Sequence, residues 1–529
     1  MEQGNVSMYS RRSFVKAAAL AGTGFAAAAA LSACAPSGSS GDERKADMAS
    51  VGARSADGVS WNTEADVVVV GFGGAGSAAA IEAAEAGSKV VLLEMNKQGG
   101  GSTAANGGYI MMGGTDLQKK FGLEDSPDNF YAYLQAAAGE NANADAIRLL
   151  ADSAPDLYRW CVDHGMDFES GVCDENRSQA GKKPGISLMY SGNERARRFA
   201  SVAKPAPRGH CVQPGSTGQD MFAALQKAVE TAGVEIMYET AGSALLVDEG
   251  GRVVGIEAKG PQGDVFIKAS KGIVLTCGGF VDNETMLNQN YPFINKRGPK
   301  LTTGGSENGS GILMGLALNA ATQGMGNFQI GYPLVTISEP MAQGIIVDGT
   351  GHRIVAEDEY NSFIGRAIIM APTSNCYLIV DDATLQESEG KLGEAFLSSA
   401  DLGDIAQETG IDPDVFKQTV SFYNESAQQG NDREFGKKEQ FLKALDEGVY
   451  HVYRIGSEQC YTASCGGLAI DLEGHVLNNS GEIIQGLYAA GRNAGTVFGW
   501  YMGSGSAMLD VLVFGRIAGK NVAAQMPME

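Results

Sequence analysis

The feature that most limits what this chain can fold into is a glycine turn between two apolar runs. Asp66-Val67-Val68-Val69-Val70 reads as a strand buried on both faces, and it leads directly into Gly71-Phe72-Gly73-Gly74-Ala75-Gly76. An alanine-rich, helix-like stretch follows over residues 77–86, then a second apolar run, Lys89-Val90-Val91-Leu92-Leu93, closed by Glu94 and Met95. Strand, glycine turn, helix, strand and acid in that order form a dinucleotide-binding fingerprint in its full structural context. Gly71 permits the tight turn, Gly73 lets backbone N–H groups approach a pyrophosphate, and Gly76 lets the helix pack on its strand. Gly74 and Ala75 open that helix, and Glu94 is placed to accept from a ribose hydroxyl.

The next stretch, Gly99-Gly100-Gly101-Ser102-Thr103-Ala104-Ala105-Asn106-Gly107-Gly108, continues directly from the acidic strand. Small and hydroxyl-bearing residues here can wrap a second phosphate and lie beside a bulky planar ring, which favours a flavin over a nicotinamide. Gly101, Ser102, Thr103, Asn106, Gly107 and Gly108 are the candidate contacts.

Composition narrows the function classes. The chain has 529 residues, is 44% hydrophobic and 19% charged, and so reads as globular over most of its length. Its formal net charge of −22 argues against nucleic acid as a partner, because phosphate binding needs a basic footprint. The eight cysteines include no CxxC or CxxCH pattern, which argues against a zinc ribbon and a covalently attached haem; no metal site is expected. Cys460 and Cys465 are close enough in sequence to form one bridge.

The N-terminus has an export pattern. Ser10-Arg11-Arg12-Ser13-Phe14 has the form of a twin-arginine signal, residues 17–33 form an alanine-rich apolar run, and Leu31-Ser32-Ala33-Cys34 resembles a bacterial lipobox. The expectation is a signal over residues 1–33, lipid attachment at Cys34, and a solvated tether over residues 34–61. That would place the protein at the extracytoplasmic face of the membrane.

Beyond the fingerprint, helices are expected at residues 145–161, 219–232, 312–321, 414–428 and 506–524. Strands are expected at 234–239, 244–248 and 272–280, with a hairpin around 248–252. Residues 326–463 are more charged and less glycine-rich, and the last segment returns to the first style. The expected fold class is therefore α/β: a Rossmann-like domain over residues 62–325 and 464–529, split by an inserted α+β capping domain over 326–463.

These motifs, with Leu275-to-Phe280, Gly344-to-Glu357 and Leu487-to-Gly519, resemble the flavoprotein family of fumarate reductases, urocanate-type reductases and 3-ketosteroid dehydrogenases. The resemblance covers about residues 62–525. It implies FAD, with Cys277, Gly278, Gly491, Arg492, Ser506, Ala507 and Met508 completing the cofactor contacts. It also implies hydride exchange between the flavin and a carbon next to an activating group. Four positions that grip a dicarboxylate in fumarate reductases fall here on Tyr332, Ala463, Met502 and Tyr360 or Asn361, none of them cationic, which argues against fumarate. Tyr501-Met502-Gly503-Ser504-Gly505 is instead similar to the Tyr-x-Gly-x-Gly of ketosteroid dehydrogenases. There the Tyr hydroxyl and the last Gly N–H hold the keto oxygen, roles that fall here on Tyr501 and Gly505. Tyr360 would move the proton at the α-carbon, and Tyr332 would contact substrate.

The implied function is a ketosteroid-like reductase or dehydrogenase of a neutral enone, with a separate redox protein as electron partner. Two alternatives stay open. One is a respiratory reductase of a monocarboxylate acrylate, which needs Arg208 or Arg492 for the carboxylate. The other is a flavin lipoprotein that only carries electrons.

Overall fold

The structure is a computed structural model that describes residues 51–168, 171–173, 185–301, 304, 306–332, 342–388, 392–446 and 448–528. The export pattern, Cys34 and Pro333 lie outside the described residues.

Strand Thr63–Val70 carries the fingerprint, and its Val67, Val68 and Val69 are wholly buried. It pairs in parallel with Val90–Leu93 on one side and Gly263–Leu275 on the other. Val90–Leu93 is extended in parallel by Glu235–Met237. Gly263–Leu275 also receives Ile483–Ala489 in parallel, so sequence from near the C-terminus joins the same nine-stranded sheet. The antiparallel strands Ala241–Val247 and Val253–Gly260 form the expected hairpin. One expectation is corrected here. Residues 51–61 are not a solvated tether, because Gly52–Ser55 pairs in parallel with Ala241–Val247 and Trp61 packs over Gly255.

Helix Gly74–Glu85 buries every residue from Gly74 to Ala83, which its small side chains permit. The C-terminal helix Ser506–Ala523 lies against it at backbone distance. A Cβ on Gly515 would sit 2.7 Å from the Ala75 carbonyl oxygen, and one on Gly519 would sit 2.4 Å from that of Ala79. Arg516 Nε donates to Glu82 Oε1 at 2.6 Å and locks the register of the pair. The helix expected over residues 312–321 is shorter, Ser310–Leu316, because Asn319 takes a left-handed φ of 61° and the chain turns into strand Thr322–Gln323.

Between these parts lies a second sheet of four strands in the order Ile345–Asp348, Asn375–Val380, Tyr450–Gly456 and Leu397–Ser399, all antiparallel. Its side chains alternate with period two. Ile345, Val347, Tyr377, Ile379 and Val452 join a core with helices Leu402–Thr409 and Pro413–Gln428. Ile346, Cys376, Leu378 and Tyr453 join the main core instead. Strands Phe328–Gly331 and Tyr461–Ser464, at the two ends of this segment, pair with each other. The architecture is mixed α/β. Among the described residues no helix is long and apolar enough to cross a membrane.

Gly519→Val would drive a branched side chain into the Ala79 backbone. It is expected to cost about 1–3 kcal/mol, as overpacking does, and to lower the thermal unfolding midpoint.

Candidate active site

The fingerprint turn is built as its glycines require. Gly71 has a φ of 107°, and a Cβ there would meet the Thr276 carbonyl oxygen at 2.6 Å. A Cβ on Gly76 would meet the Gly71 carbonyl oxygen at 1.9 Å, whereas Gly73 has nothing closer than 3.7 Å, which leaves its face open to a ligand. Gly74 N donates to Thr103 Oγ1 at 2.9 Å, so the loop after the second strand is tied to the head of the helix. Glu94 is buried; its Oε2 accepts from Phe72 N at 3.1 Å and its Oε1 from Asn96 N at 2.8 Å. Burial pushes the Glu94 carboxyl above its ordinary pKa, against these donors. Met95 beside it is partly exposed.

The second loop closes the cradle. Ser102 Oγ donates to Glu307 Oε1 at 2.6 Å, and Arg492 Nη2 meets the same oxygen at 2.6 Å. Asn106 Oδ1 accepts from Gly108 N at 2.6 Å, while Gly101 and Gly108 take left-handed φ values of 45° and 76°. Cys277 N donates to Asn493 Oδ1 at 3.0 Å, and burial pushes the Cys277 thiol up to about 12, so it is not a nucleophile. Gly278 packs on Glu307, and Gly491 packs on Ala75. Asn106 Nδ2, Asn493 Nδ2 and Glu307 Oε2 are buried without a partner. Open glycine backbone, a buried acid and several orphaned polar atoms fit a long phosphorylated cofactor such as FAD.

The first turn of the C-terminal helix comes to the same place. Gly505 caps that helix with a φ of 89°, and a Cβ there would meet Met111 N at 2.6 Å. Its carbonyl accepts from Met111 N and Leu509 N, while its own N–H has no partner among the described residues. Ser506 and Met508 are buried beneath it, and the Met508 methyl meets the head of the fingerprint helix at Gly74. Ala507, between them, is half-buried.

Tyrosines gather beside this turn. The Tyr360 hydroxyl is hydrogen-bonded to Ser504 Oγ. Burial pushes the Tyr501 phenol well above 10, and Tyr360 and Tyr461 push it further. Tyr461 Oη accepts from Asn361 Nδ2 at 2.9 Å. At neutral pH the Tyr501 phenol is therefore a neutral donor. A loop that the sequence reading did not single out clamps them in place. Asn193 Oδ1 accepts from Tyr360 N at 2.5 Å, and Ser191 O accepts from Ser504 N at 2.8 Å. Tyr133 Oη donates to the Met502 carbonyl at 2.8 Å. A cleft opens here between Phe328, Ile330, Ser362, Phe363, Arg366, Trp500 and Tyr501.

Several expected roles do not fit this arrangement. Tyr332 donates to Gln459 Oε1, and the groups that act on its phenol are Cys460, Glu458 and Cys376, not the other tyrosines. Its hydroxyl is spent inside the capping segment. Arg208 is fully buried and holds Asp125 through two bonds of 2.8 and 2.9 Å. Arg492 is held by Glu307, so neither arginine is free for a substrate carboxylate. Cys460 and Cys465 are separate buried thiols. His210 is fully buried between Thr115 Oγ1 and the Arg208 carbonyl, and burial pushes its pKa down to about 4, so it stays neutral. Ser504, Tyr461 and Arg366 were the residues missed. Only Ser504 had a sequence signal, its place inside the Tyr-x-Gly-x-Gly segment.

Near the cleft, Glu359 binds Arg198, yet burial pushes its carboxyl up to about 7 from an ordinary 4.5. Folding therefore takes up a proton at this site. The associated stability is full below pH 4.5 and is lost as pH rises through about 7. Between about pH 5 and 7.5, the unfolding midpoint of Glu359→Gln is expected to fall less steeply than that of the wild type, as measured by thermal scans across buffers.

The FAD binding domain family matches residues 66–508. The chain is 28% identical over 471 residues to an NADH:fumarate oxidoreductase of Klebsiella pneumoniae (strain 342), a match that takes in 87% of this chain and 47% of that one. It thus spans about half of that relative's length. It is 27% identical to a digoxin reductase of Eggerthella lenta, over 98% of both chains. Among solved structures it resembles a 3-ketosteroid-delta4-(5alpha)-dehydrogenase of Rhodococcus jostii RHA1 in complex with 4-androstene-3,17-dione. The TM-score is 0.82 at 32% identity, covering 90% of this chain and 100% of that one. With the fingerprint, its acid and both glycine loops in place across that span, the chain belongs to the FAD binding domain family of flavoproteins.

Proposed function

We propose that the protein is an FAD-dependent oxidoreductase acting on a carbon–carbon bond conjugated to a ketone. The observation that carries this reading is the Gly505 N–H, unpartnered among the described residues, at the head of a buried helix beside the Tyr501 phenol and the Tyr360–Ser504 pair. Its likeness to the Rhodococcus dehydrogenase, whose solved complex holds 4-androstene-3,17-dione, supports the same choice.

The division of labour follows from the geometry. FAD, when bound, supplies hydride exchange with a substrate carbon. The Tyr501 hydroxyl and the Gly505 N–H hold the carbonyl oxygen and stabilise the negative charge that develops there. The positive end of the C-terminal helix adds to this field. Tyr360, hydrogen-bonded to Ser504, exchanges the proton at the α-carbon. Phe328, Phe363 and Trp500 exclude water around the reacting bond. Dehydrogenation and double-bond reduction are one step in opposite directions, and the redox partner sets which one runs.

We also propose that the enzyme is exported and lipid-anchored. Arg11-Arg12, the apolar run and Cys34 support this reading. Electrons would then pass through a separate redox protein, because the chain has no CxxCH for a haem of its own. Cys34→Ser is expected to move the protein from the membrane to the soluble fraction on cell fractionation.

Anaerobic stopped-flow reoxidation of the dithionite-reduced holoprotein tests the chemistry. Conjugated ketones are expected to reoxidise the flavin quickly. Tyr501→Phe is expected to lower kcat/KM roughly 10²–10³-fold, the usual loss for one oxyanion donor, while the purified variant keeps its flavin. Faster reoxidation by an acrylate without a ketone, or an unimpaired Tyr501→Phe, would overturn the reading.

A further inference from the structure

Arg366 lies on helix Asn361–Met370 and lines the same cleft as Tyr501. Its guanidinium stacks over the Trp500 ring, with Cζ 4.0 Å from the centroid. Among the described residues it makes no ion pair. The nearest candidate, Glu359, gives both oxygens to Arg198, at 2.9 and 3.1 Å. Burial and the neighbouring Arg198 both push the Arg366 pKa down, so its charge is held where charge is disfavoured. A half-buried arginine without a carboxylate is costly unless something completes it.

A second, independent group points into the same place. Ser362 is 6% exposed, lines the cleft, and its Oγ has no hydrogen-bond partner. A guanidinium held over an indole and an unspent hydroxyl one helical turn away are complementary to a carboxylate: the fork offers two parallel N–H donors and the serine a third. The cleft is otherwise apolar, and the nearby Glu359 carboxylate is engaged by Arg198, so an acidic group arriving there would displace little ordered polarity.

We infer that Arg366 and Ser362 receive an acidic group of the substrate, so that the enzyme acts on conjugated ketones that also carry a carboxylate. This rests on the ketone reading above and departs from the neutral substrate that the sequence implies. It also replaces Arg208 and Arg492, the two arginines the sequence offered for a carboxylate, with one that the fold leaves unpaired at the reacting end of the molecule.

The test uses reduced holoprotein and two matched pairs of enones, each an acid and its methyl ester. One pair is compact, 4-oxo-4-phenyl-2-butenoate; the other is long, a 3-keto-4-ene steroid with a carboxylate on the five-membered ring. In at least one pair, kcat/KM is expected to favour the acid over the ester by about tenfold or more. Arg366→Gln should collapse that preference to below about twofold, through the KM of the acid, and Arg366→Lys should restore part of it. Ser362→Ala should reduce it less. Equal use of acid and ester in both pairs, or an acid preference that survives Arg366→Gln, would overturn the inference and leave the ketone reading standing. Reoxidation by no member of either pair would overturn the ketone reading and this inference together.

Discussion

The contact on which the rest of the structure depends is the backbone-to-backbone approach of helices Gly74–Glu85 and Ser506–Ala523. Gly515 and Gly519 leave no room for a side chain against the Ala75 and Ala79 carbonyls, and this lets the two helices share one edge. Because they are so close, the heads of both helices converge: Met508 reaches Gly74, and the turn at Gly491 packs on Ala75 beside them. In the proposed mechanism one helix offers its first-turn N–H groups to the cofactor's pyrophosphate, and the other offers the Gly505 N–H to the substrate carbonyl. A bulkier residue at either glycine would separate the nucleotide site from the chemical one.

The second requirement is to bring Tyr360 to that place from a different part of the chain. A buried ion network does this. Arg353 holds Glu357 through two bonds of 2.9 and 2.7 Å and Asp432 at 2.9 Å, while Lys437 meets Glu357 at 2.8 Å. Charges at this depth are tolerable only when every one is paired, so the network admits few other arrangements of the turn that leads to Tyr360. The loop at Ser191 to Asn193 then accepts from the backbone N–H groups of both Tyr360 and Ser504. The segment that carries Tyr360 is thus held to the glycine-rich segment that carries Ser504 by hydrogen bonds around these two side chains.

Much of the nucleotide half was legible in the sequence. Gly71, Gly76, Glu94 and Gly108 are where the motif placed them, because a strand–turn–helix fixes its own spacing through backbone sterics. The helix at residues 413–428 and the hairpin before residue 253 were legible for the same local reason. Residues 52–55 were misread because a glycine- and serine-rich stretch has no period of its own; the open edge of Ala241–Val247 makes it a strand. Arg208 and Arg492 looked available because a sequence shows a charge without showing its partner. Asp125 and Glu307 are distant in the chain and adjacent in space.

What the sequence determined by itself was the class of cofactor and the α/β frame, since both rest on short-range patterns of size, polarity and glycine. What only the tertiary structure decided was which distant side chains meet at and beside the cleft. Tyr360 and Ser504 are 144 residues apart, and nothing local to either announces the other. The same holds for Arg366, an ordinary helix residue in the sequence. Its meaning comes from Trp500 under it, from Ser362 beside it, and from a Glu359 already committed to Arg198. Pairing of charges and sharing of a cleft are properties of three-dimensional neighbourhood, and close packing of the two glycine-faced helices is what creates that neighbourhood here.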